Sequence, residues 1–229
     1  TNVDITREFA MQVGFLYARL LQTKNSKRHL HLAIGRDQRA GAEMLQMAAM
    51  SGCAAAGFVE VQDLGCVSTG MISAYIVGNQ CDGGILITGS HMPPERIGII
   101  PLLSDARYAP PSITDELERL LANWPESSLP AVDPFVILPS KRSRGVGGVY
   151  IKGVRDAIGA EAREMISKRK FRVLIDTGNG TGGIAARKLF MSVFDCDVVV
   201  LHEKLKTKPD RPSEVRASTC TGRGANFTW

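Results

Sequence analysis

Short apolar runs alternate with helical patterns along the first half of this chain, and this alternation constrains the fold more than any other feature. We predict strands at four apolar runs, 31–34, 58–61, 85–88 and 97–103. Helical patterns flank them at 6–21, 41–50, 68–77 and 112–121. Such alternation is typical of layered α/β folds, so we predict three α/β/α layers around a mostly parallel mixed sheet.

Several boundaries of these elements can be predicted from single residues. Thr6 is a suitable N-cap for the first helix. Ser51-Gly52 predicts the end of the helix at 41–50, because glycine commonly ends helices. The string SITD at 112–115 is similar to a capping box that starts another helix. Pro101 has no N–H for a central strand, so we expect its strand at an edge or a bulge.

A second unit of the same kind follows a junction. Proline, serine, glycine and basic residues predominate at 126–148, which we interpret as a linker between a first domain at 1–125 and a second at 149–229. In the second domain we predict a long helix at 150–168, a strand at 171–176, a helix at 184–190 and a strand at 197–201. The hydrophobic periodicity is lost after Glu203, so we expect an incomplete α/β domain.

The string TGSHMPP at 88–94, here called the serine loop, starts at the last residue of the strand predicted at 85–88. Pro93 and Pro94 prevent the strand from continuing, because neither has an N–H for the sheet. We therefore expect Ser90 on a tight, exposed loop. A serine in this position could carry a phosphoryl or acyl group, and His91 could orient that group or move its proton. Ordinary turn chemistry is the alternative.

The string GRDQR at 35–39 follows the first predicted strand, where α/β folds place ligand-contacting loops. Two interpretations stay open here. An Arg–Asp pair that includes Asp37 could hold the turn from strand to helix. Alternatively, Arg36 and Arg39 could contact a substrate directly.

The glycine loop at 178–183 offers a different hypothesis. Gly178, Gly180 and Gly183 satisfy the pattern G-x-G-x-x-G between a predicted strand and a predicted helix. Glu203 follows the next strand, where a dinucleotide site places its ribose-binding acid. A nucleotide-dependent oxidoreductase is therefore an alternative function.

Composition narrows the function classes. The 229 residues are 44% hydrophobic, and 28 basic against 23 acidic residues give a net charge of +5. This charge favours anionic partners such as phosphorylated metabolites and is too small to indicate nucleic-acid binding. Five scattered cysteines predict neither a disulfide framework nor a zinc site, and we expect a reducing, cytoplasmic location. No signal peptide is apparent, and no apolar run approaches the ~20 residues of a membrane span.

Three motifs together resemble the α-D-phosphohexomutases, the phosphomannomutase and phosphoglucomutase family: GRDQR, the serine loop, and D-x-x-N-G-x-G-G at 176–183. The resemblance implies the first domain and part of the second. It implies that Ser90 carries the phosphoryl group exchanged between hexose 1- and 6-phosphates through a hexose 1,6-bisphosphate. It places His91 beside Ser90 in catalysis, with Arg36 and Arg39 at the phosphate. It also implies Mg²⁺, held by the Ser90 phosphate and an Asp-Gly-Asp-x-Asp-Arg loop.

The chain departs from the family pattern at several points. The family's Asn-Gly-x-Lys is IGII at 97–100, so Ile100 replaces the lysine, and Thr69-Gly70 replaces a Thr-Pro. No Asp-x-Asp-x-Asp run occurs in the chain, which begins at Thr1. We therefore expect a piece of a longer protein, completed by further C-terminal domains or another subunit. An inactive relative that binds phosphosugars or a partner protein is a further alternative.

Overall fold

The computed structural model describes residues 5–26, 29–125 and 145–204. Its helices and strands, in chain order, are α1 (Arg7–Lys24), β1 (Leu30–Arg36), α2 (Ala42–Ala55), β2 (Val59–Cys66), α3 (Thr69–Gly78), β3 (Gly83–Thr88), β4 (Gly98–Leu103), α4 (Pro111–Ala122), α5 (Val146–Ile158), α6 (Ala160–Arg169), β5 (Arg172–Asp176), α7 (Gly183–Phe194) and β6 (Asp197–Leu201). The predictions for 126–144 and for the chain after Lys204 lie outside the described residues.

A four-stranded mixed sheet in the order β2-β1-β3-β4 organises the first unit. β1 pairs in parallel with β2 and β3, whereas β4 is antiparallel to β3 and forms an edge that contains Pro101, as predicted. Leu32 and Ile34 of β1 pack with α1, α2 and α4 on one face, and Ala33 packs with α3 on the other. The predicted three-layer arrangement with a mostly parallel mixed sheet is confirmed.

Glycines allow helices α1 and α2 to cross at close range. A β-carbon at Gly14 would overlap the Ala49 carbonyl oxygen, and one at Gly52 would overlap that of Met11. The prediction that α2 ends at Gly52 is wrong, because α2 continues to Ala55. Gly52 provides room for the neighbouring helix and does not end its own.

Two other predicted boundaries are also wrong. The capping box at 112–115 is absent, because α4 begins at Pro111 with Pro110 as its N-cap and no side-chain capping bond. Proline suits the first helical turn, where its missing N–H would have no helical partner. The long helix predicted at 150–168 is two helices, because Gly159 adopts a φ of 78° and a ψ of 170° between α5 and α6.

The second unit is a β5-α7-β6 segment with a two-stranded parallel sheet. Its helix α5 begins inside the predicted linker, at Val146, and packs on α3 of the first unit. Val146 is buried in the same core cluster as Met71 and Ile72. A β-carbon at Gly70 would lie 3.1 Å from Cε2 of Tyr150, so the two helices are in close contact.

The four described cysteines are free thiols, and Cys220 lies outside the described residues. Burial raises the pKa of the Cys53 and Cys81 thiols to about 12, which keeps them protonated at neutral pH. Across the ranges that the structure describes, none of the helices has the length and apolar character required to span a bilayer.

Candidate functional site

A cavity of about 580 Å³ lies between the two units. The loop after β1, the first turn of α3 and the serine loop form its wall on the first unit. Asp176, Thr177 and the glycine loop form its wall on the second unit. Loops that follow the carboxyl ends of strands therefore meet at this cavity, which is where open α/β sheets bind their ligands.

Ser90 lines the cavity and is exposed, as expected from the prolines that follow it. Its φ of 50° lies in the left-handed region, a conformation that costs a non-glycine residue about 1 kcal/mol. The Ser90 N–H donates to Oγ1 of Thr88 at 2.9 Å. Its own hydroxyl makes no hydrogen bond with a residue that the structure describes, so this group is available to a ligand in the cavity.

Asp37 joins the loop after β1 to the serine loop. Its Oδ2 accepts hydrogen bonds from the Thr88 hydroxyl at 2.7 Å and the Gly89 N–H at 3.3 Å. Its Oδ1 accepts the Arg39 N–H at 2.9 Å. Sequence analysis considered Asp37 only as a partner of arginine. Its bonds to the serine loop were missed because they join residues about fifty positions apart.

Arg39 uses every donor of its guanidinium group, three of them on the backbone of the serine loop. Nε pairs with Asp37 at 3.0 Å. The two terminal nitrogens donate to four backbone carbonyl oxygens, those of Ser90, Met92, Pro93 and Arg96. Arginine has five N–H donors in total, so none of those on Arg39 remains for a phosphate. The geometry thus favours the Arg–Asp interpretation of this motif at Arg39.

Arg36 and His91 are not among the residues that line the cavity. The Arg36 guanidinium pairs with Glu43 at 3.2 Å and donates to the Asp37 carbonyl oxygen at 3.2 Å. His91 is exposed and adjacent to Ser90 in the chain. The structure therefore brings Ser90 and Arg39 together at the cavity, whereas the predicted roles of Arg36 and His91 stay predictions.

Hydrogen bonds hold the glycine loop against the end of β6. Asn179 is 3% exposed, and its side-chain amide donates to the carbonyl oxygens of His202 and Lys204. Asp176 accepts the Gly178 N–H at 3.0 Å and lies 2.9 Å from Nδ1 of His202. These two contacts, the backbone bond first, lower the pKa of Asp176. The cavity wall therefore carries an ionised carboxylate at neutral pH.

Glu203, the ribose-binding candidate of the dinucleotide hypothesis, is already paired. Its two carboxylate oxygens accept hydrogen bonds from Nε and Nη2 of Arg187 at 3.0 and 2.9 Å. These bonds lower the pKa of Glu203. Arg187 belongs to α7 and Glu203 lies two residues after β6, so this ion pair joins the chain that follows β6 to α7.

The described residues do not by themselves fit a Mg²⁺ ion. Among residues 5–26, 29–125 and 145–204, no three His, Cys, Asp or Glu side chains form a group that could hold a metal. The carboxylates that line the cavity are those of Asp37 and Asp176. Asp37 is occupied by Arg39 and by the serine loop. Mg²⁺ prefers several oxygen ligands in near-octahedral geometry, and this wall does not provide them.

Comparison with known sequences identifies relatives for most of the chain. The family model for phosphoglucomutase/phosphomannomutase, alpha/beta/alpha domain I, matches residues 1–128. A phosphoglucomutase/phosphomannomutase from Thermococcus kodakarensis is 32% identical over 208 residues, which cover 86% of this chain and 41% of the relative. A phosphoglucosamine mutase from Streptococcus pyogenes is 28% identical over 236 residues, which cover 99% of this chain and 50% of the relative. The chain thus spans about half the length of these relatives, or less.

A solved structure shares the fold. The crystal structure of a phosphoglucomutase/phosphomannomutase family protein from Burkholderia thailandensis superposes with a TM-score of 0.66 at 22% identity, over 89% of this chain and 42% of that one. The glycine loop lies within the sequence that the mutase relatives cover, which favours the mutase interpretation of this loop over the dinucleotide one. From the match to the domain I model, this chain belongs to the phosphoglucomutase/phosphomannomutase family.

Proposed function

We propose that this chain carries the phosphoserine site of a phosphohexomutase, in which Ser90 exchanges a phosphoryl group with hexose 1- and 6-phosphates. The observation that carries the proposal is the presentation of Ser90. Ser90 is exposed at the cavity, on a loop whose backbone Arg39 holds at three carbonyl oxygens and, just beyond the loop, at that of Arg96. The names of the relatives, which are mutases of phosphorylated hexoses, support the same function.

In this function the reactive group is the Ser90 hydroxyl. Its Oγ forms a bond to phosphorus as the bond from phosphorus to a hexose oxygen breaks, and the hydroxyl proton passes to that hexose oxygen. Such a transfer depends on in-line positioning, which a rigid loop provides. His91 is our candidate for orienting the phosphoryl group or moving the proton. We expect Mg²⁺ to be required, with the Ser90 phosphate as one ligand and the others from beyond the described residues.

A second candidate function is the binding of phosphosugars without turnover. The lack of a free positive charge on the described wall of the cavity favours it. Ile100 stands where the family has its lysine, pairs with Leu86 in the sheet and packs against the core. Arg39 is the only lysine or arginine among the described residues that line the cavity, and its donors are occupied. Neutralising a transferring phosphoryl group then needs a cation from elsewhere.

Mass spectrometry of the purified chain separates the two candidates. The chain is incubated with glucose 1,6-bisphosphate and Mg²⁺, and its peptides are searched for one added phosphoryl group. We expect the group on Ser90, none in Ser90→Ala, and unchanged labelling in Ser68→Ala, which alters another serine of the same cavity. Labelling that persists in Ser90→Ala would refute Ser90 as the carrier. An unlabelled chain that still binds the bisphosphate would support the second candidate.

A further inference from the structure

The backbone of Ser90 has a conformation that a serine adopts only at a cost. Its φ of 50° lies in the left-handed region, and a residue with a β-carbon keeps such a conformation only where its surroundings impose it. The prolines at 93 and 94 explain why the strand ends, but they lie too far along the chain to fix φ at Ser90. The support must therefore come from groups that contact the Ser90 backbone.

The Thr88 hydroxyl makes such a contact. Its oxygen accepts the Ser90 N–H at 2.9 Å, and its hydrogen is donated to Oδ2 of Asp37 at 2.7 Å. Because a hydroxyl can donate and accept at once, these two bonds form a continuous chain, here called the hydrogen-bond relay, from Asp37 through Thr88 to Ser90. Arg39 donates to the Ser90 carbonyl oxygen at 2.6 Å, so both backbone polar groups of Ser90 are held.

Asp37 gives the relay a fixed origin and a fixed direction. Its N–H donates to the Ile87 carbonyl oxygen at 2.9 Å, where the pairing of β1 with β3 ends, and the residue is only 8% exposed. Its carboxylate is also held by the N–H and the guanidinium group of Arg39. A carboxylate only accepts hydrogen bonds, so the Thr88 hydrogen points to Asp37 and a lone pair of the Thr88 oxygen is left for the Ser90 N–H.

We propose that Thr88 is a positioning residue for phosphoryl transfer, and that its hydroxyl keeps Ser90 in the left-handed conformation in which Ser90 lines the cavity. Thr88 also lines the cavity, but its hydroxyl hydrogen is donated to Asp37 and is not available to a phosphate. Without the hydroxyl, Ser90 can relax to a negative φ, and its Oγ is aligned with the phosphorus less often. This inference rests on the proposed function and deepens it by naming what holds the reacting serine.

The rate of Ser90 labelling separates positioning from binding. Labelling by glucose 1,6-bisphosphate with Mg²⁺ is followed by mass spectrometry over a range of bisphosphate concentrations. Thr88→Val keeps the shape of the side chain and removes its hydroxyl, and should lower the maximal rate about tenfold, the factor for one lost hydrogen bond, while the half-saturating concentration stays within about twofold. Thr88→Ser keeps the hydroxyl and should stay within about threefold of the unaltered chain in both quantities.

A matched control and a second measurement keep the outcomes separate. Thr23→Val removes a threonine hydroxyl that bonds to the backbone on the surface of α1, and should label at the unaltered rate. Equal loss of rate in Thr88→Ser and Thr88→Val would overturn the inference, as would an unchanged rate in Thr88→Val or a loss that appears only in the half-saturating concentration.

Hydrogen exchange of the Ser90 N–H, measured by NMR, tests the relay without any transfer. We expect exchange about tenfold faster in Thr88→Val and unchanged in Thr88→Ser, because only the first variant lacks the acceptor. An unaltered chain that is never labelled would refute the proposed function. Faster exchange in Thr88→Val alone would then still support the relay, whereas equal exchange in all three chains would refute it.

Discussion

Replacing Arg39 with lysine should destabilise the protein, because lysine cannot hold the serine loop as arginine does. The Arg39 side chain is 6% exposed and makes one ion pair and four bonds to backbone carbonyl oxygens. Lysine has three N–H donors, so at least two of these five contacts are lost. At about 1–2 kcal/mol for each, we expect Arg39→Lys to lower the free energy of unfolding by about 2–4 kcal/mol.

Urea denaturation measures this loss, with Arg119→Lys as the matched control. Arg119 also makes a two-point contact with a carboxylate, that of Glu116, but on the exposed surface of α4. Its replacement should change the free energy of unfolding by less than about 1 kcal/mol. The reasoning would be refuted if Arg39→Lys unfolded like the unaltered chain and yet bound inorganic phosphate more weakly. Arg39 would then be a phosphate ligand and not a support of the loop.

Three further predictions concern packing and charge. Gly70→Ala brings a β-carbon to 3.1 Å from the Tyr150 ring. In a double-mutant cycle of urea unfolding, Gly70→Ala and Tyr150→Ala should therefore compensate each other by about 1 kcal/mol, and additive effects would contradict this contact. Gly14→Ala should lower the free energy of unfolding by about 3 kcal/mol, since its β-carbon would overlap a carbonyl oxygen of α2. An unchanged melting temperature in calorimetry would argue against so close a crossing of α1 and α2. The pKa of Asp176 is lowered in the folded state, so the stability that its charge contributes is present at neutral pH and lost as pH falls below about 4. The free energies of unfolding of Asp176→Asn and the unaltered chain, measured in urea, should therefore converge in acid, and a difference that grows in acid would contradict this direction of the pKa shift.

Local sequence rules predicted the order and type of the elements well. Thr6 caps α1 as predicted, because its side-chain oxygen accepts the Phe9 N–H three residues ahead. Pro101 lies on the edge strand for the reason expected, because it has no N–H to donate. Predictions failed where one residue type has several uses. Gly52 provides space for α1 and Gly159 divides a helix, and neither use can be distinguished by looking at the glycine alone.

In the candidate site, too, local sequence predicted some features, and only contacts between distant residues showed the others. The serine loop could be recognised from its string of residues, because the prolines after a buried strand expose Ser90 by local geometry. What supports this loop could not be recognised, since the bond from Arg39 to the Ser90 carbonyl oxygen joins residues 51 positions apart. That Gln38 and Thr181, 143 positions apart in the chain, line the same cavity is likewise a property of the folded chain.

The sequence by itself determined the α/β class, the family and the exposed serine, because hydrophobic periodicity, proline chemistry and short motifs act over a few neighbouring residues. Only the tertiary structure decided that Arg39 is a support with no free donor, that Gly52 lies inside a helix, and that Asp176 faces the same cavity as Ser90. Each of these depends on which distant groups satisfy a donor or fill a space, and the folded chain alone brings those groups together.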